Sequence, residues 1–486
     1  MDPLLVLLII SVYFGVLLII SYLTSRGANN DTFFTGNRQS PWYLVAFGMI
    51  GASLSGVTFI SVPGEVGNSQ FSYFQLILGH LVGYAVIALV LMPLYYRLNL
   101  VSIYTYLEQR FGFWSYKTGA IFFLISKIIG ASFRLFLAAG VLQIALFDAW
   151  DVPFWITVTI TILLIWLYTF KGGIKTIVWT DTLQTTFMVA AVVISIYLIK
   201  NDLNLTFGGM VDTIQSSGYS KIFYWDWQTG KNFFKQFLAG AFIAIVMTGL
   251  DQDMMQKNLT CRSLKDAQKN MFSFSVVLVF VNFLFLSLGA LLFIYATENG
   301  IQIPEKTDDL YPMLAMNNFP VIVGILFLLG VIAAAYSSAD SALTGLTTSF
   351  CVDIINLGEK AEDIQKSTRI KVHIVFSLIL LVVILVFNAF NDRSVITAVF
   401  LAAGYTYGPL LGLYSFGLFT NLQVRDKWVP IICILSPLLS YLIDIYSEEL
   451  LGGYRFGFEI LLVNGMLTFI GLLLFSKGRI QKKVVA

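Results

Sequence analysis

The chain contains a succession of apolar stretches, each long enough to cross a lipid bilayer as a helix. The bilayer core needs about 20 consecutive apolar residues in a helix, and about thirteen windows meet that length. These windows fall near residues 4–24, 42–68, 73–97, 118–147, 152–170, 177–200, 232–256, 271–297, 319–350, 369–390, 394–420, 428–446 and 456–476. Composition agrees, because 57% of the residues are hydrophobic, 12% are charged and the mean hydropathy is +0.80. A soluble protein carries roughly a quarter charged residues, so the sequence predicts an all-α integral membrane protein.

Composition also excludes several kinds of site and partner. The net charge of +2 arises from basic residues spread through loops, which indicates no nucleic-acid partner. The three cysteines, Cys261, Cys351 and Cys433, show neither paired nor metal-ligand spacing. The chain begins MDPLL, without a basic n-region or a following cleavage site. Its first apolar run is therefore predicted to be a membrane span rather than a cleaved signal.

The connecting loops predict the orientation of the chain. Lys and Arg concentrate in the loops on one side of the predicted spans, and we place Lys257 among these loop residues. By the positive-inside rule this side is cytoplasmic, so the N-terminus lies outside and the C-terminus inside. An odd number of spans places the two ends on opposite sides, in agreement. We interpret the chain as a monomer surrounded by lipid in the plasma membrane, namely the inner membrane of a bacterium.

The order of the spans indicates an internal repeat. Spans two to six and seven to eleven form two groups of five, and because five is odd the groups begin on opposite faces. Secondary transporters are commonly built in this way and bind their substrates at the repeat interface. We divide one transporter domain into a first helix and loop (1–41), a first repeat (42–200), a second repeat (232–420) and two C-terminal helices (427–486).

The stretch Ile332–Phe350, IAAAYSSADSALTGLTTSF, carries polar residues inside a predicted span. Its polar side chains recur at steps of three and four and so share one helical face: Ser337, Asp340, Ser341, Thr344 and Thr348. Hydroxyls in membrane helices commonly bond only to their own backbone. An ionised carboxylate at membrane depth, however, costs about 2.5–3.5 kcal/mol and requires a partner. Oxygen atoms aligned in this way suit a small hard cation that has lost its water.

The second predicted span contains GASLSGVTFISVPGEVG, from Gly51 to Gly67. Glycines and Pro63 weaken a helix, and an interrupted membrane helix frees carbonyl oxygens that coordinate Na⁺ while nearby hydroxyls bind substrate. The alternative is a glycine-rich packing face whose hydroxyls bond to the preceding turn.

Four further polar residues lie inside predicted spans. Asp181, in GGIKTIVWTDTLQ, is expected in the cytoplasmic half, where it shares a pocket with Asp340 or pairs with Lys127. Arg134 lies seven residues beyond Lys127 on the same helical face. There it either clamps a substrate carboxylate or forms a structural pair with an aspartate or with carbonyl oxygens. His80 is either a substrate hydrogen-bonder or a satisfied structural histidine.

The segment GLDQDMMQKNL closes the seventh predicted span. Its charged residues, Asp251, Asp253 and Lys257, are interpreted as a solvated helix end or a gate latch.

These motifs converge on one family. With LSGVTFISVP, IYTYLEQRFG, GGIKTIVWTDTLQ, GLDQDMMQ and the SSADSALTG region, the chain resembles the sodium:solute symporters, which include sugar, proline, iodide and sialic acid carriers. The resemblance covers nearly the whole length. It implies a LeuT-like core of five plus five inverted helices, with one helix before the core and two after it.

The resemblance also implies ion sites. The main Na⁺ site falls on the carbonyls of Gly51, Leu54 and Ala334 and the hydroxyls of Ser337 and Ser338. Some members have a further sodium site, whose positions match Asp181, Ser337, Asp340 and Ser341 here. Because Asp340 replaces a serine of the sialic acid carriers, this second site is expected to hold either Na⁺ or a proton.

Substrate positions of the sialic acid branch fall on Ser53, Ser55 and Thr58, and we add His80 and Arg134 as candidates. The arginine of that branch aligns with Ser132 rather than Arg134, and its glutamine aligns with His80. Sugar carriers place a tyrosine before the GLDQ motif, where this chain has Met247 and Thr248. The expected substrate is therefore a small polar or carboxylate-bearing solute, with a sugar, a polyol or a small anion as alternatives.

Taken together, these features predict a sodium-coupled symporter that works by alternating access and is not an enzyme. Two other classes stay open. An intramembrane aspartyl protease would explain paired aspartates but needs a GxGD-type context, and Asp340 sits in SADS. A transporter-like channel or sensor would share the fold without coupled transport.

Overall fold

The computed structural model describes residues 3–25, 30–169, 173–390 and 395–479, and these are almost entirely helical. The α-helices, in chain order, are α1 Pro3–Thr24, α2 Asn30–Thr35, α3 Trp42–Ser69, α4 Tyr73–Val86, α5 Met92–Arg97, α6 Thr105–Arg110, α7 Phe113–Leu142, α8 Phe154–Thr169, α9 Gly173–Asp202, α10 Phe207–Ser216, α11 Phe233–Ala244, α12 Gln252–Leu259, α13 Leu264–Glu298, α14 Leu310–Asn317, α15 Val321–Ser349, α16 Glu362–Phe390, α17 Val395–Thr406, α18 Gly408–Phe419, α19 Val429–Ile445, α20 Ser447–Leu450 and α21 Ile460–Leu474. Two short strands, β1 Leu422–Val424 and β2 Ser476–Arg479, pair antiparallel. Gly172 of the quoted motif, residues 391–394 of the predicted second repeat, and the chain ends of the first and last predicted units lie outside the described residues.

Every apolar window contains a helix or a bent pair of helices, which confirms the all-α membrane fold. Within the described ranges, eight helices are long and apolar enough to cross a membrane, and two bent pairs raise this number to ten. One of the eight, Trp42–Arg97, contains both α3 and α4, whereas α8 and α21 are apolar but shorter. The number thirteen and the division into repeats stay predictions.

Helix α3 is interrupted as predicted, and the interruption lies at Ser55. This residue has φ 33° and ψ 168°, a conformation that side-chain-bearing residues rarely adopt, while the helix continues through Pro63 to Ser69. Helix α3 is therefore kinked at Ser55 in the middle of the bundle.

Two further predicted spans are broken at positions where we expected no bend. Helices α11 and α12 meet at 66° and α17 and α18 meet at 46°. The first bend lies at Leu250 and Asp251, and the Asp251 carboxylate caps α12 by accepting bonds from the amides of Asp253 (3.0 Å) and Met254 (3.3 Å). The second bend lies at Tyr407.

Glycines allow the central helices to approach closely. A Cβ at Gly51 on α3 would overlap the Thr185 hydroxyl on α9, and a Cβ at Gly240 on α11 would overlap the Leu76 carbonyl on α4. Helix α3 therefore packs directly between α9, α13 and α15, which places its interruption at the centre of the molecule.

Candidate functional site

A cavity lies at the middle of the bundle and touches all three helix interruptions. It holds about 990 Å³ of space, including its mouth. It is bordered by Ser55 at the α3 break, by Asp251 at the α11–α12 bend and by Tyr407 at the α17–α18 bend. The five candidate substrate residues all line this one cavity: Ser53, Ser55, Thr58, His80 and Arg134. Ser132, which the resemblance matches to the arginine of the sialic acid branch, is instead fully buried within α7.

Two of these residues present unpaired polar groups to the cavity. Neither ring nitrogen of His80 has a hydrogen-bond partner among the described residues, so its interpretation as a satisfied structural histidine is wrong. The Arg134 guanidinium makes no hydrogen bond or ion pair with any residue of the described ranges. A buried imidazole and a half-buried guanidinium are costly to leave without partners unless a ligand or water satisfies them.

Lys127 forms an ion-pair cluster on the α12 side of the cavity. Its Nζ lies 2.5 Å from Asp253 Oδ2 and 3.3 Å from Asp251 Oδ1, and all three side chains are buried. The Tyr407 hydroxyl donates to Asp251 Oδ2 at 2.5 Å. The cluster thus ties α7 to both the α11–α12 bend and the α17–α18 bend. The alternative in which Asp181 pairs with Lys127 is wrong, because Lys127 reaches the carboxylates of the α11–α12 bend instead.

An aromatic pair closes the cavity at the opposite end of α3. The rings of Tyr73 and Phe400 stack at a centroid distance of 6.5 Å and an interplanar angle of 21°. Both residues border the cavity and also a second, outer depression lined by Glu65, Ser69 and Lys231. The α12 side is near the start of α3, since the Ser40 amide bonds to Thr260 O, and the aromatic pair is near its end. The two closures therefore lie on opposite sides of the cavity.

The α3 interruption faces the polar part of α15, as the candidate main Na⁺ site requires. A Cβ at Gly56 would lie 3.8 Å from Ala335 Cβ, so the two segments are in direct contact. The Ser338 hydroxyl donates to Ala334 O at 3.1 Å. The Ser337 hydroxyl donates to Asp181 Oδ1 at 2.6 Å, and because its hydrogen is used there, its lone pairs stay available as acceptors.

The donor set of this site suits Na⁺. Five candidate oxygen atoms come from the two contacting segments, namely those of Gly51, Leu54, Ala334, Ser337 and Ser338. They are neutral carbonyl and hydroxyl oxygens next to the negative charge of Asp181, a combination that fits a small monovalent cation.

The candidate second cation site contains a residue that sequence reasoning missed. Lys257 Nζ lies 2.8 Å from Asp181 Oδ2, and both side chains are 1% exposed. Asp340 interacts with the charges of both residues. Its Oδ2 accepts a bond from the Tyr168 hydroxyl at 2.8 Å and its Oδ1 accepts one from Ser341 at 3.1 Å. Asp181 and Asp340 therefore share a pocket, as expected, but Lys257 shares it with them.

Two interpretations of the α12 segment are wrong. Asp251, Asp253 and Lys257 are buried rather than solvated, and Lys257 is not a loop residue of the cytoplasmic face. The physical reason is that neighbouring elements cover every residue of α12. The Gln252 side chain, for example, bonds to the backbone of Val101 and Ile103. A polar run that directly continues an apolar one, without a glycine- or proline-rich loop, is the signal that could have indicated burial.

The chain resembles known transporters in sequence and in fold. The family model described as "Sodium:solute symporter family" matches residues 33–423. A sodium/sialic acid symporter of Aliivibrio fischeri is 26% identical over 425 residues, covering 84% of this chain and 82% of that protein. A sodium/sialic acid symporter of Proteus mirabilis is 24% identical over 449 residues, covering 90% and 88%. The human sodium/iodide cotransporter is 23% identical over 403 residues, covering 80% of this chain and 61% of that protein.

Solved structures share the fold. A Na⁺-coupled sialic acid symporter, described as substrate-bound, outward-open and containing a novel Na⁺ site, has a TM-score of 0.82 at 21% identity. This similarity covers 96% of the present chain and 98% of that one. Mhp1, a nucleobase-cation-symport-1 family transporter, has a TM-score of 0.53 at 14% identity, with coverage of 90% and 92%. With its LeuT-like fold, its apolar spans and a family match over most of its length, the chain belongs to the sodium:solute symporter family, integral membrane proteins that couple the transport of a small solute to Na⁺.

Proposed function

We propose that this symporter imports a small hydroxylated carboxylate together with Na⁺, and that Arg134 binds the carboxylate. The observation that carries the proposal is the Arg134 guanidinium, which has no partner among the described residues and lines the same cavity as the hydroxyls of Ser53, Ser55 and Thr58. Arginine offers a planar fork of donors that matches a carboxylate in a bidentate pair. A solute carrying one carboxylate and several hydroxyl groups would satisfy both the guanidinium and the hydroxyls.

The other polar groups of the cavity fit such a solute. Neither ring nitrogen of His80 has a partner in the part of the chain that the structure describes, and in a neutral imidazole one of them donates while the other accepts. Lys127 also lines the cavity, but Asp251 and Asp253 hold its ammonium. Arg134 is therefore the cation available to an anionic solute in the described part of the cavity.

The chemistry of related carriers supports a carboxylate. Relatives include sodium/sialic acid symporters and a mouse sodium-coupled monocarboxylate transporter, 24% identical over 430 residues. Sialic acids are carboxylated sugars with several hydroxyl groups. Because Arg134 lines the cavity and Ser132 does not, we propose that the carboxylate binds one half-turn further along α7 than in the sialic acid branch.

Ion and solute binding are linked through the break in α3. Gly51 and Leu54 offer carbonyls to Na⁺, and Ser55 and Thr58 of the adjacent turn offer hydroxyls to the solute. Na⁺ bound at Gly51, Leu54, Ala334, Ser337 and Ser338 therefore fixes the geometry of the solute-binding turn. By linkage, each ligand raises the affinity for the other.

Alternating access uses the two closures of the cavity. We propose that the Tyr73–Phe400 pair separates to admit Na⁺ and solute from outside, and that the Lys127 cluster then opens to release them into the cytoplasm. One Na⁺ crossing about 100 mV gains roughly 2.3 kcal/mol, and a tenfold concentration gradient adds about 1.4 kcal/mol. The two contributions sum to about 3.7 kcal/mol, which would accumulate a neutral solute roughly 500-fold. The membrane potential opposes entry of an anion, so one Na⁺ would accumulate a monocarboxylate to a lower ratio than a neutral solute.

Uptake into proteoliposomes tests the proposed function. N-acetylneuraminate, lactate and glucose represent a hydroxylated carboxylate, a small carboxylate and a neutral sugar. We expect accumulation of the hydroxylated carboxylate above equilibrium only with an inward Na⁺ gradient. Uptake that equilibrates regardless of Na⁺ would contradict symport, and a preference for glucose would contradict the role of Arg134. Currents far above carrier turnover would instead indicate a channel.

A further inference from the structure

Lys257 lies inside the pocket that the family resemblance assigns to a second sodium ion. Its Nζ is 2.8 Å from Asp181 Oδ2, and Asp340 interacts with both charges. A monovalent cation that belongs to the chain itself is thus already present beside the candidate ligands. A sodium ion in the same pocket would stand next to an ammonium of equal sign.

The oxygen atoms of this pocket are also engaged. Asp181 Oδ1 accepts the Ser337 hydroxyl, and the two oxygens of Asp340 accept the hydroxyls of Tyr168 and Ser341. A cation that has lost its water needs several free oxygen ligands at once. The residues present therefore do not fit a second sodium ion while Lys257 occupies its observed position.

The position of Lys257 is fixed by the helix that carries it. The α11–α12 bend at Asp251 turns α12 into the bundle, where all of its residues are buried. The side chain of the preceding residue, Gln256, donates to Phe34 O at 2.6 Å and to Thr348 Oγ1 at 3.2 Å. These bonds set the rotation of α12, so that Lys257 faces α9 and α15.

We propose that the Lys257 ammonium takes the place of a second sodium ion, so that this chain couples one Na⁺ to each transported solute. The proposal rests on the proposed symport function. The fixed cation balances Asp181 without being transported, and the Na⁺ of the main site alone draws on the gradient. The Lys257 ammonium also orients a ligand of the main site. It holds Asp181, which accepts the Ser337 hydrogen, so that the Ser337 lone pairs stay available to Na⁺.

The number of sodium ions bound by the wild-type protein is the first test. Purified protein without solute is titrated with NaCl, with choline chloride keeping the ionic strength constant, and thermal unfolding is followed. Stabilisation by a ligand grows with the logarithm of its concentration, in proportion to the number of sites. The slope expected is that of one Na⁺, and the flux ratio in proteoliposomes should be one Na⁺ per solute. A two-site slope in the wild type would overturn the proposal.

Removing the ammonium should open the pocket to a second ion. For Lys257→Met, the slope of stabilisation against the logarithm of the Na⁺ concentration should rise from that of one bound ion toward that of two. Lys257→Arg is the matched control, because it keeps a cation beside Asp181 and should leave one Na⁺ site. Lys257→Met with one Na⁺ site and unchanged Na⁺ affinity would contradict the proposal.

A second variant keeps the proposal testable if Lys257→Met does not fold. Lys257→Met combined with Asp340→Ser removes one charge of each sign and restores a serine at the position where sialic acid carriers have one. This double variant should also bind a second Na⁺. If neither variant folds, the wild-type ion count decides. Failure of the proposed function is distinguishable, because it would abolish Na⁺-driven uptake of carboxylates while the solute-free titration still counts the bound ions.

Discussion

Arg134 lines the cavity and has no partner in the described ranges, and its charge makes the proposed solute class testable at one position. Replacing it with glutamine should raise the half-saturating concentration of a carboxylate solute roughly 10- to 150-fold, because a charge-assisted hydrogen bond contributes about 1.5–3 kcal/mol. Arg134→Lys should recover part of the loss, since lysine keeps the charge without the planar fork. Uptake kinetics in proteoliposomes give these values.

The methyl ester of the same solute is the control for Arg134. The ester has no negative charge, so Arg134→Gln should change its competition for uptake little. An equal loss for acid and ester would show that Arg134 shapes the cavity rather than binding the carboxylate.

Ser338 offers a second test at the residue scale. Ser338→Ala should raise the Na⁺ concentration needed for half-maximal uptake about tenfold, which corresponds to about 1.4 kcal/mol, because one oxygen ligand is removed. Its only hydrogen bond in the described structure runs to Ala334 within its own helix, so little folding stability should be lost. Ser275→Ala, which removes another buried serine bonded to its own helix, is the control and should leave the Na⁺ dependence unchanged. Equal Na⁺ dependence in both variants would remove Ser338 from the ion site.

At this scale the sequence predicted residue types better than residue contacts. The polar face of Ser337, Asp340 and Ser341 and the buried Asp181 follow from helical spacing and from the cost of a charge in the membrane. The pairing of Asp181 with Lys257 does not follow, because it depends on how α12 packs between α9 and α15. Burial of a lysine is set by distant elements, and local hydropathy does not contain that information.

Among the helices, the break in α3 makes a prediction about backbone strain. Ser55 has φ 33°, which glycine adopts freely and a β-branched residue adopts at a cost of about 1–3 kcal/mol. Ser55→Val should therefore lower the thermal stability of the purified protein relative to Ser55→Gly. Ser53, two residues earlier in the regular helix, is the control, because glycine is less favourable than valine inside a regular helix. The same order of stabilities at both positions would contradict a special conformation at Ser55.

The three helix interruptions differ in how visible they are in the sequence. The break in α3 is predicted from the concentration of glycine, serine and proline between Gly51 and Gly67. The α17–α18 bend has a local signal in Gly408–Pro409, since proline begins a helix more readily than it continues one. The α11–α12 bend depends on Asp251 as a helix cap, and an aspartate before a polar run also occurs at ordinary solvated helix ends.

For the whole molecule, the orientation in the membrane is the prediction to check. Gly218 and Gly358 both face open space, so a protease site inserted at either position should leave the fold intact. Protease added to intact cells should cut the Gly218 insertion and spare the Gly358 insertion, because the positive-inside rule puts Gly218 outside. Permeabilised cells should show cleavage at both sites. The reverse pattern in intact cells would invert the proposed direction of transport.

The overall architecture follows from the sequence to the level of spans and family. Apolar windows of about 20 residues locate the membrane helices, because the bilayer fixes their length. Several helices run beyond their windows; α13, for example, begins at Leu264, after the cap at Ser263 and seven residues before the predicted window at 271. Windows report hydropathy, whereas polar helix ends are held by caps and by neighbouring loops, so the boundaries could not be predicted as closely as the spans.

The two closures of the cavity differ in chemistry, and this difference has a calorimetric consequence. Separating Tyr73 from Phe400 exposes apolar rings, which raises the heat capacity, whereas opening the Lys127 cluster hydrates charged groups, which lowers it. The exchange between outward-open and inward-open forms thus carries a net heat-capacity change. Its equilibrium constant, plotted against reciprocal temperature, should follow a curve, so a transport rate measured in the cold cannot be extrapolated along a straight line to a warm cell.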